Sequence, residues 1–194
     1  MKKKYVSDRP SVEALEAELS RVNYKRRYNV VLKSTLYTLI TVAAVAVLVA
    51  TLWLPVLQIY GSSMTPTLQD GEIVFSLKTA DLEQGDIVAF YYNNKILVKR
   101  VIAGPGEWVD INAENGNVFV NDILLEEPYL AEKAFGDADI DLPYQVPDGK
   151  IFVMGDHRST SVDSRHIAVG CVAEEQIVGK IIFRVWPFNQ IGSF

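Results

Sequence analysis

Cysteine and histidine are almost absent from this 194-residue chain, which has one of the first and two of the second, and no charged side chain occurs between Lys33 and Asp70. The lone Cys171 excludes an internal disulfide. With so few histidines and no clustered cysteines, the composition also argues against a structural zinc site. Cys171 itself reads as a small buried apolar residue. Acidic excess is missing from the head of the chain, where residues 1–33 hold nine Lys/Arg against four Asp/Glu, a net charge of +5. The remainder holds ten against twenty, net -10. An acidic body argues against nucleic acid as its partner, while a basic head suits the surface of an anionic lipid bilayer. With 49% hydrophobic and 22% charged residues, the chain has enough apolar material for one moderate domain and an additional segment.

The uncharged stretch is the additional segment. Residues 34–60 are rich in Leu, Val, Ala and Ile and predict a transmembrane helix. About 24 residues at 1.5 Å each span roughly 36 Å, more than the ~30 Å hydrocarbon core. Trp53 and Tyr60 suit an outer aromatic belt, and Tyr24, Tyr28, Lys25, Arg26, Arg27 and Lys33 suit the opposite interface. The basic flank predicts a cytoplasmic N-terminus and an extracytoplasmic remainder. A cleaved signal peptide fits less well, because a lead of more than thirty residues (~30) is too long for its charged region. Within that cytoplasmic segment, 1–33, Val12, Leu15, Leu19 and Val22 recur at helical spacing and predict a short amphipathic helix.

Residues 61–194 have a different pattern. Short alternating runs such as EIVFSL, DIVAFYY, KILVKRVIA, EWVDI, NVFV, KIFVMG and VGKIIFRVW predict strands. Asn93-Asn94, Asn115-Gly116 and Asn121-Asp122 suit tight turns, and Gly104-Pro105-Gly106 forces a bend. Residues 131–149, with Pro143, Pro147, Gly136 and several Asp, predict a long excursion from the sheet. The expected fold is mainly β: one antiparallel, partly coiled β-sheet domain tethered by a single N-terminal transmembrane helix.

Three segments of this domain are candidates for chemistry. In GSSMTPTL, residues 61–68, Gly61 permits an unusual backbone and Pro66 biases Thr65 toward extended conformation, so Ser63 is displayed on a defined turn. A polar linker leaving the membrane would read similarly. Lys99 lies in an apolar strand, on the face of Leu97 and Val101, while Arg100 points to the other face with Val98 and Ile102. Periodicity does not choose which of the two is inside. Burial would matter for Lys99, because an ordinary lysine is neutral in only about one molecule in 2,500 at pH 7. Lowering its pKa by about 3 units, at a cost of roughly 4 kcal/mol, would make it a competent base. The third segment, VMGDHRSTSVDSR at 153–165, gathers Asp156, His157, Arg158, Ser161, Asp163 and Arg165 in one short loop. Ser161 could orient an amine, and Asp163 with Arg165 could form a bridge that fixes the loop.

Taken in order, GSSMTPTL, GDIVAF at 85–90, KRVIAGPGE at 99–107 and MGDHRSTSVDSR at 154–165 resemble the motifs of the bacterial type I signal peptidases, in the compact form of Gram-positive bacteria. The resemblance covers roughly residues 36–190. It implies a membrane-bound serine endopeptidase with a Ser-Lys dyad, Ser63 as nucleophile and Lys99 as general base. Ser161 would support the lysine, Asp156, Asp163 and Arg165 would shape the site, and Met64 would pack beside the nucleophile. The substrates it implies are secretory precursors bearing signal peptides, cut after small residues, with the export machinery as a further candidate partner. No metal or organic cofactor is required by that chemistry. Two positions depart from the pattern: His157 stands where Asn is common, without an expected change in chemistry, and Gly61 stands where some members carry a serine that helps bind the oxyanion.

Three other readings compete. A Ser-His-Asp site would use Ser63 with His157 or His166 and an Asp. A sortase-like transpeptidase would use Cys171, although VGCVAEE lacks the usual nucleophile motif. A non-catalytic membrane-tethered binding domain would need none of these residues.

Overall fold

The computed structural model of the chain describes residues 11–78 and 81–194, and the side chains of all of these except 51–53. The first ten residues of the basic head, and the side chain of Trp53, lie outside that description. The chain divides into two compact units, residues 1–49 and 50–194.

One helix, α1 (Val12–Trp53), runs without interruption through 42 residues. The short amphipathic helix expected near the N-terminus is therefore not a separate element. At 1.5 Å per residue α1 is about 63 Å long, roughly twice a hydrocarbon core. By length and composition it is able to cross a membrane. The expected span of 34–60 also needs a correction at its end, because the helix stops at Trp53 and Val56–Gln58 is already a strand. Pro55 supplies the reason: its ring clashes with the preceding turn and disfavours helical geometry at Leu54. Apolar composition alone does not reveal that the register has changed.

The second unit is mainly antiparallel β. Its strands are β1 (Val56–Gln58), β2 (Ile73–Leu77), β3 (Ile87–Tyr92), β4 (Lys95–Ala103), β5 (Trp108–Ile111), β6 (Val118–Val120), β7 (Ile123–Leu124), β8 (Tyr144–Gln145), β9 (Lys150–Met154), β10 (Val172–Ala173), β11 (Ile177–Trp186) and β12 (Gly192–Ser193). They form two sheets. The larger has the order β1-β2-β11-β3-β4-β9-β10, with β12 also on β11, and the smaller has the order β7-β6-β5-β8. The 131–149 excursion is not wholly outside the sheets, since β8 within it pairs with β5 through Trp108↔Gln145 and Val109↔Tyr144. Asn93-Asn94 joins β3 to β4, and Asn121 and Asp122, both with positive φ, join β6 to β7. A two-residue turn with left-handed backbone matches the twist of the flanking strands.

Three apolar clusters hold this unit. Ile102, Val109, Ile111, Val118, Phe152 and Met154 bind the small sheet to β4 and β9. Val88, Phe90, Val101, Ile151 and Val153 cover one face of the large sheet. Ile59, Met64, Leu68, Val74, Ile87, Ala89 and Ile181 form the third. That cluster matters for function, because Met64 and Leu68 belong to the loop between β1 and β2. Each such fully buried side chain contributes about 1.5–3 kcal/mol, so the loop is anchored on both sides of Thr65.

Candidate active site

The anchored loop presents Ser63. Gly61 has φ +86°, and its N–H donates to Asp70 Oδ1 at 2.7 Å. A Cβ there would meet nothing within 4 Å, so the requirement is for the left-handed backbone rather than for space. From Ser62 the chain turns back: the Thr65 N–H and its hydroxyl both donate to the Ser62 carbonyl, at 3.0 and 2.8 Å. The His157 N–H donates to the Ser63 carbonyl at 3.0 Å, tying the turn to the loop after β9. The N–H of Ser63 has no protein acceptor among the described residues.

Lys99 comes from the middle of β4, paired across to Val88 of β3. Its Nζ donates to Ser63 Oγ at 2.7 Å, while its side chain lies among apolar neighbours and is only 3% exposed. Burial lowers its pKa to about 8, with Asp163 and Asp156 opposing the shift and Arg165 assisting it. No carboxylate lies within ion-pairing distance of it among the described residues. Arg100 is buried as well, and on the opposite face it meets a full set of partners. Its Nε and Nη2 donate to Asp156 at 2.9 and 2.7 Å, its Nη1 to the Gly85 carbonyl at 2.7 Å, and its guanidinium lies 3.8 Å from the Tyr129 ring centroid. Thr67 also donates to Asp156. Asp156 thus joins the loop after Ser63 to the lysine strand.

Asp163 and Arg165 are fully buried and form a two-point bridge, Nε to Oδ1 and Nη2 to Oδ2, each at 2.9 Å. Burial opposes the Asp163 charge, but the Arg165 guanidinium and the Gly155 N–H outweigh it and hold the carboxyl below its ordinary pKa. Arg165 also donates to the carbonyls of Phe135 and Arg158, at 2.6 and 2.9 Å. Ser161 Oγ is buried without a hydrogen-bond partner of good geometry, although it lies close enough to Asp163 to help lower that carboxyl. Gly155 separates this loop from the nucleophile: a Cβ on it would fall on Ser161 Oγ and on the Ser63 carbonyl. Ser63, Lys99, Ser161 and the Asp163–Arg165 bridge are therefore one cluster, with Asp156 on its flank. Sequence reasoning missed Tyr129, Thr67, Gly155 and the buried Arg158–Glu127 ion pair. Of these only Gly155 had a local signal, the glycine that opens the polar loop.

Neither histidine ring is hydrogen-bonded to the Ser63 hydroxyl. His157 Nδ1 lies 3.3 Å from Thr65 Oγ1, and His166 Nε2 lies 3.6 Å from Asp137. The Cys171 thiol packs with Tyr144, and burial pushes its pKa up to about 11, the opposite of what a nucleophilic thiolate needs.

Beside the dyad runs a groove of about 800 Å³, walled by Leu57, Ile59 and Tyr60 on one side and by Ile96, Leu97 and Val98 on the other. Strands β1 and β4 are four places apart in the sheet, so the sheet must coil to bring them to one groove. Both offer free edges there. β1 pairs only with β2, and β4 gains its second partner, β9, only from Arg100 onward.

The family model described as "Signal peptidase, peptidase S26" matches residues 32–186, which include every one of these groups. The chain belongs to this family. Signal peptidase IB of Staphylococcus aureus (strain Mu50 / ATCC 700699) is 41% identical over 152 residues, covering 68% of this chain and 78% of its own. Signal peptidase I of Streptococcus pneumoniae serotype 4 is 34% identical over 176 residues, covering 71% and 84%. Among solved structures, the signal peptidase I of Enterococcus faecalis V583 is similar with a TM-score of 0.45 and 28% identity, covering 52% of this chain and 97% of that one.

Proposed function

We propose that the chain is a membrane-anchored serine endopeptidase that removes N-terminal signal peptides from exported precursors through a Ser63–Lys99 dyad. The observation that carries this reading is the 2.7 Å contact between Ser63 Oγ and a lysine that is buried without an ion-paired carboxylate. With a pKa of about 8, roughly one Lys99 in ten is neutral at pH 7, some 300-fold more than for an ordinary lysine.

Neutral Lys99 takes the hydroxyl proton as Ser63 Oγ attacks the scissile carbonyl. The free Ser63 N–H is suited to the oxyanion that forms. Collapse breaks the C–N bond, the Lys99 ammonium gives its proton to the departing amine of the mature protein, and the signal peptide stays as an ester on Ser63. Lys99 then deprotonates water, which attacks the ester and regenerates the serine. An extended substrate segment fits the groove by adding to the free edges of β1 and β4. Small residues before the cut, as the family resemblance implies, suit its shallow apolar walls.

The anchoring helix has its basic end in the cytoplasm and its C-terminal end outside, by the Lys/Arg asymmetry of its flank. Ser63 lies only ten positions beyond the helix end at Trp53. Ten residues reach at most about 35 Å, so the nucleophile stays near the outer surface, where the apolar core of a signal peptide ends.

Incubating the detergent-solubilised chain with a precursor that has small residues at its cleavage site tests the assignment by mass spectrometry of the products. The parent is expected to cut after the small residue, and Ser63→Ala and Lys99→Ala are not. Cutting that survives Lys99→Ala would sink the proposed base and return attention to His157 and His166.

A further inference from the structure

His157 takes no part in the mechanism above, yet it meets the nucleophile turn twice. Its backbone N–H donates to the Ser63 carbonyl at 3.0 Å, and its Nδ1 lies 3.3 Å from Thr65 Oγ1. Thr65 has one hydroxyl proton, and that proton goes to the Ser62 carbonyl at 2.8 Å. His157 must therefore supply the hydrogen, so its Nδ1 carries a proton. The neutral Nδ1–H tautomer and the imidazolium both satisfy this, while the Nε2–H tautomer would set two lone pairs against each other.

We infer that His157 is a positioning residue for Ser63, its Nδ1–H holding the Thr65 hydroxyl and, through it, the Ser62–Thr65 turn in the conformation that aims Ser63 at Lys99. The inference rests on Ser63 being the nucleophile. Thr65 closes the turn by two bonds to the Ser62 carbonyl, so a hydroxyl freed to rotate weakens the closure on the side of Ser63 that faces away from the core. Met64 and Leu68 fix the other side by burial. Reacting groups held a few tenths of an ångström out of line lose rate without losing affinity. His157 is not among the residues that line the groove beside the dyad, and its backbone bond to the Ser63 carbonyl survives a side-chain substitution, so substrate binding should change little. The ring is only half-buried and borders a separate cavity of about 160 Å³ with Pro66 and Ala131, so shortening it leaves the core intact.

The test is a set of variants assayed on one precursor with kcat and KM separated. His157→Ala is expected to lower kcat about fivefold, the loss of one hydrogen bond in the transition state, with KM within about twofold. The melting temperature and the pH midpoint of activity should match the parent. His157→Asn should restore kcat, because its amide nitrogen lies the same number of bonds from Cα as Nδ1 and donates. His157→Gln, one bond longer, should not. Thr65→Val combined with His157→Ala should be no slower than Thr65→Val alone, since both remove the same contact. A parental kcat in His157→Ala, rescue by Gln instead of Asn, or losses that multiply would each overturn the inference. Ser63→Ala run alongside separates the two claims: if it retains activity the dyad reading fails, and if it is inactive while His157→Ala is fully active only the role of His157 fails.

Discussion

The two faces of β4 carry adjacent cations that burial treats alike and surroundings treat differently. Lys99 is 3% exposed and Arg100 is 7% exposed. Arg100 faces Asp156, a backbone carbonyl and an aromatic ring, so its charge is compensated and its fork is filled. Lys99 donates to one hydroxyl and has no ion-paired carboxylate among the described residues. Asp163 and Asp156 favour its charge only from beyond ion-pairing distance and Arg165 opposes them, so the charge is not fully compensated and the proton is held loosely. Burial by itself does not make a base. Burial without an ion-paired carboxylate does, and the strand separates the two conditions by one residue, about 3.3 Å of rise.

Replacing Lys99 by methionine breaks the comparison most severely. Activity should fall by about 10⁴-fold or more, as expected when the general base of a coupled nucleophile is removed. Stability should move the other way. The unfolded chain binds the Lys99 proton up to its ordinary value of 10.5, but the folded chain releases it near 8. The penalty for folding is therefore full below pH 8 and fades as the pH rises toward 10.5. It amounts to up to about 3 kcal/mol. Lys99→Met should then be more stable than the parent at pH 7 by as much as that and no more stable at pH 11, in urea titrations at the two pH values. Destabilisation at pH 7 would show that the lysine is not held at a cost.

The same strand shows what was legible in the sequence. The apolar runs located β2, β3, β4, β5, β6, β9 and β11, because each has at least one face in a cluster. Alternation could not rank Lys99 against Arg100, because β4 is buried on both faces from Lys99 onward and periodicity carries no information there. Two-residue strands such as β7, β10 and β12 are too short to show any period, and the three-residue β1 was hidden in the apolar run of the helix. The nucleophile turn was legible from Gly61 and Pro66, and the polar loop from its density of charge. Their junction was not. Asp156 reaching Arg100 across 56 positions, Tyr129 covering that pair and Gly155 making room for Ser161 are consequences of how the sheet coils, which no local window contains.

The other face gives the opposite outcome. Arg100→Met leaves the Asp156 carboxyl buried and without its principal partner, and is expected to destabilise the fold by about 3–5 kcal/mol. Arg100→Lys should recover little of this, because a point charge cannot replace two parallel donors and the stacking on Tyr129. Removing both charges, Arg100→Met with Asp156→Leu, should recover most of the stability. Midpoints of denaturant unfolding with unchanged slopes distinguish these cases. A neutral Arg100→Met would mean that the pair compensates nothing and that the difference between the faces lies elsewhere.

The smallest expected effect is the most specific. For the free enzyme kcat/KM should rise with pH through about 8, as Lys99 loses its proton, and then level off. Asp163 is the carboxylate that most favours the charged lysine, and Arg165 opposes it. Asp163→Asn keeps the side-chain shape, removes the negative charge and leaves the guanidinium, so the lysine proton should be held less tightly still. The rising limb should move to lower pH than in the parent, even though the loosened bridge reduces the plateau. Lys99 lies between a carboxylate that holds its proton and an arginine that expels it, so the direction of that movement reports which group is titrating. A limb that stays in place would assign the titration to another residue. One that moves upward would mean that loss of the bridge had exposed the amine to water, cancelling the desolvation that makes it a base.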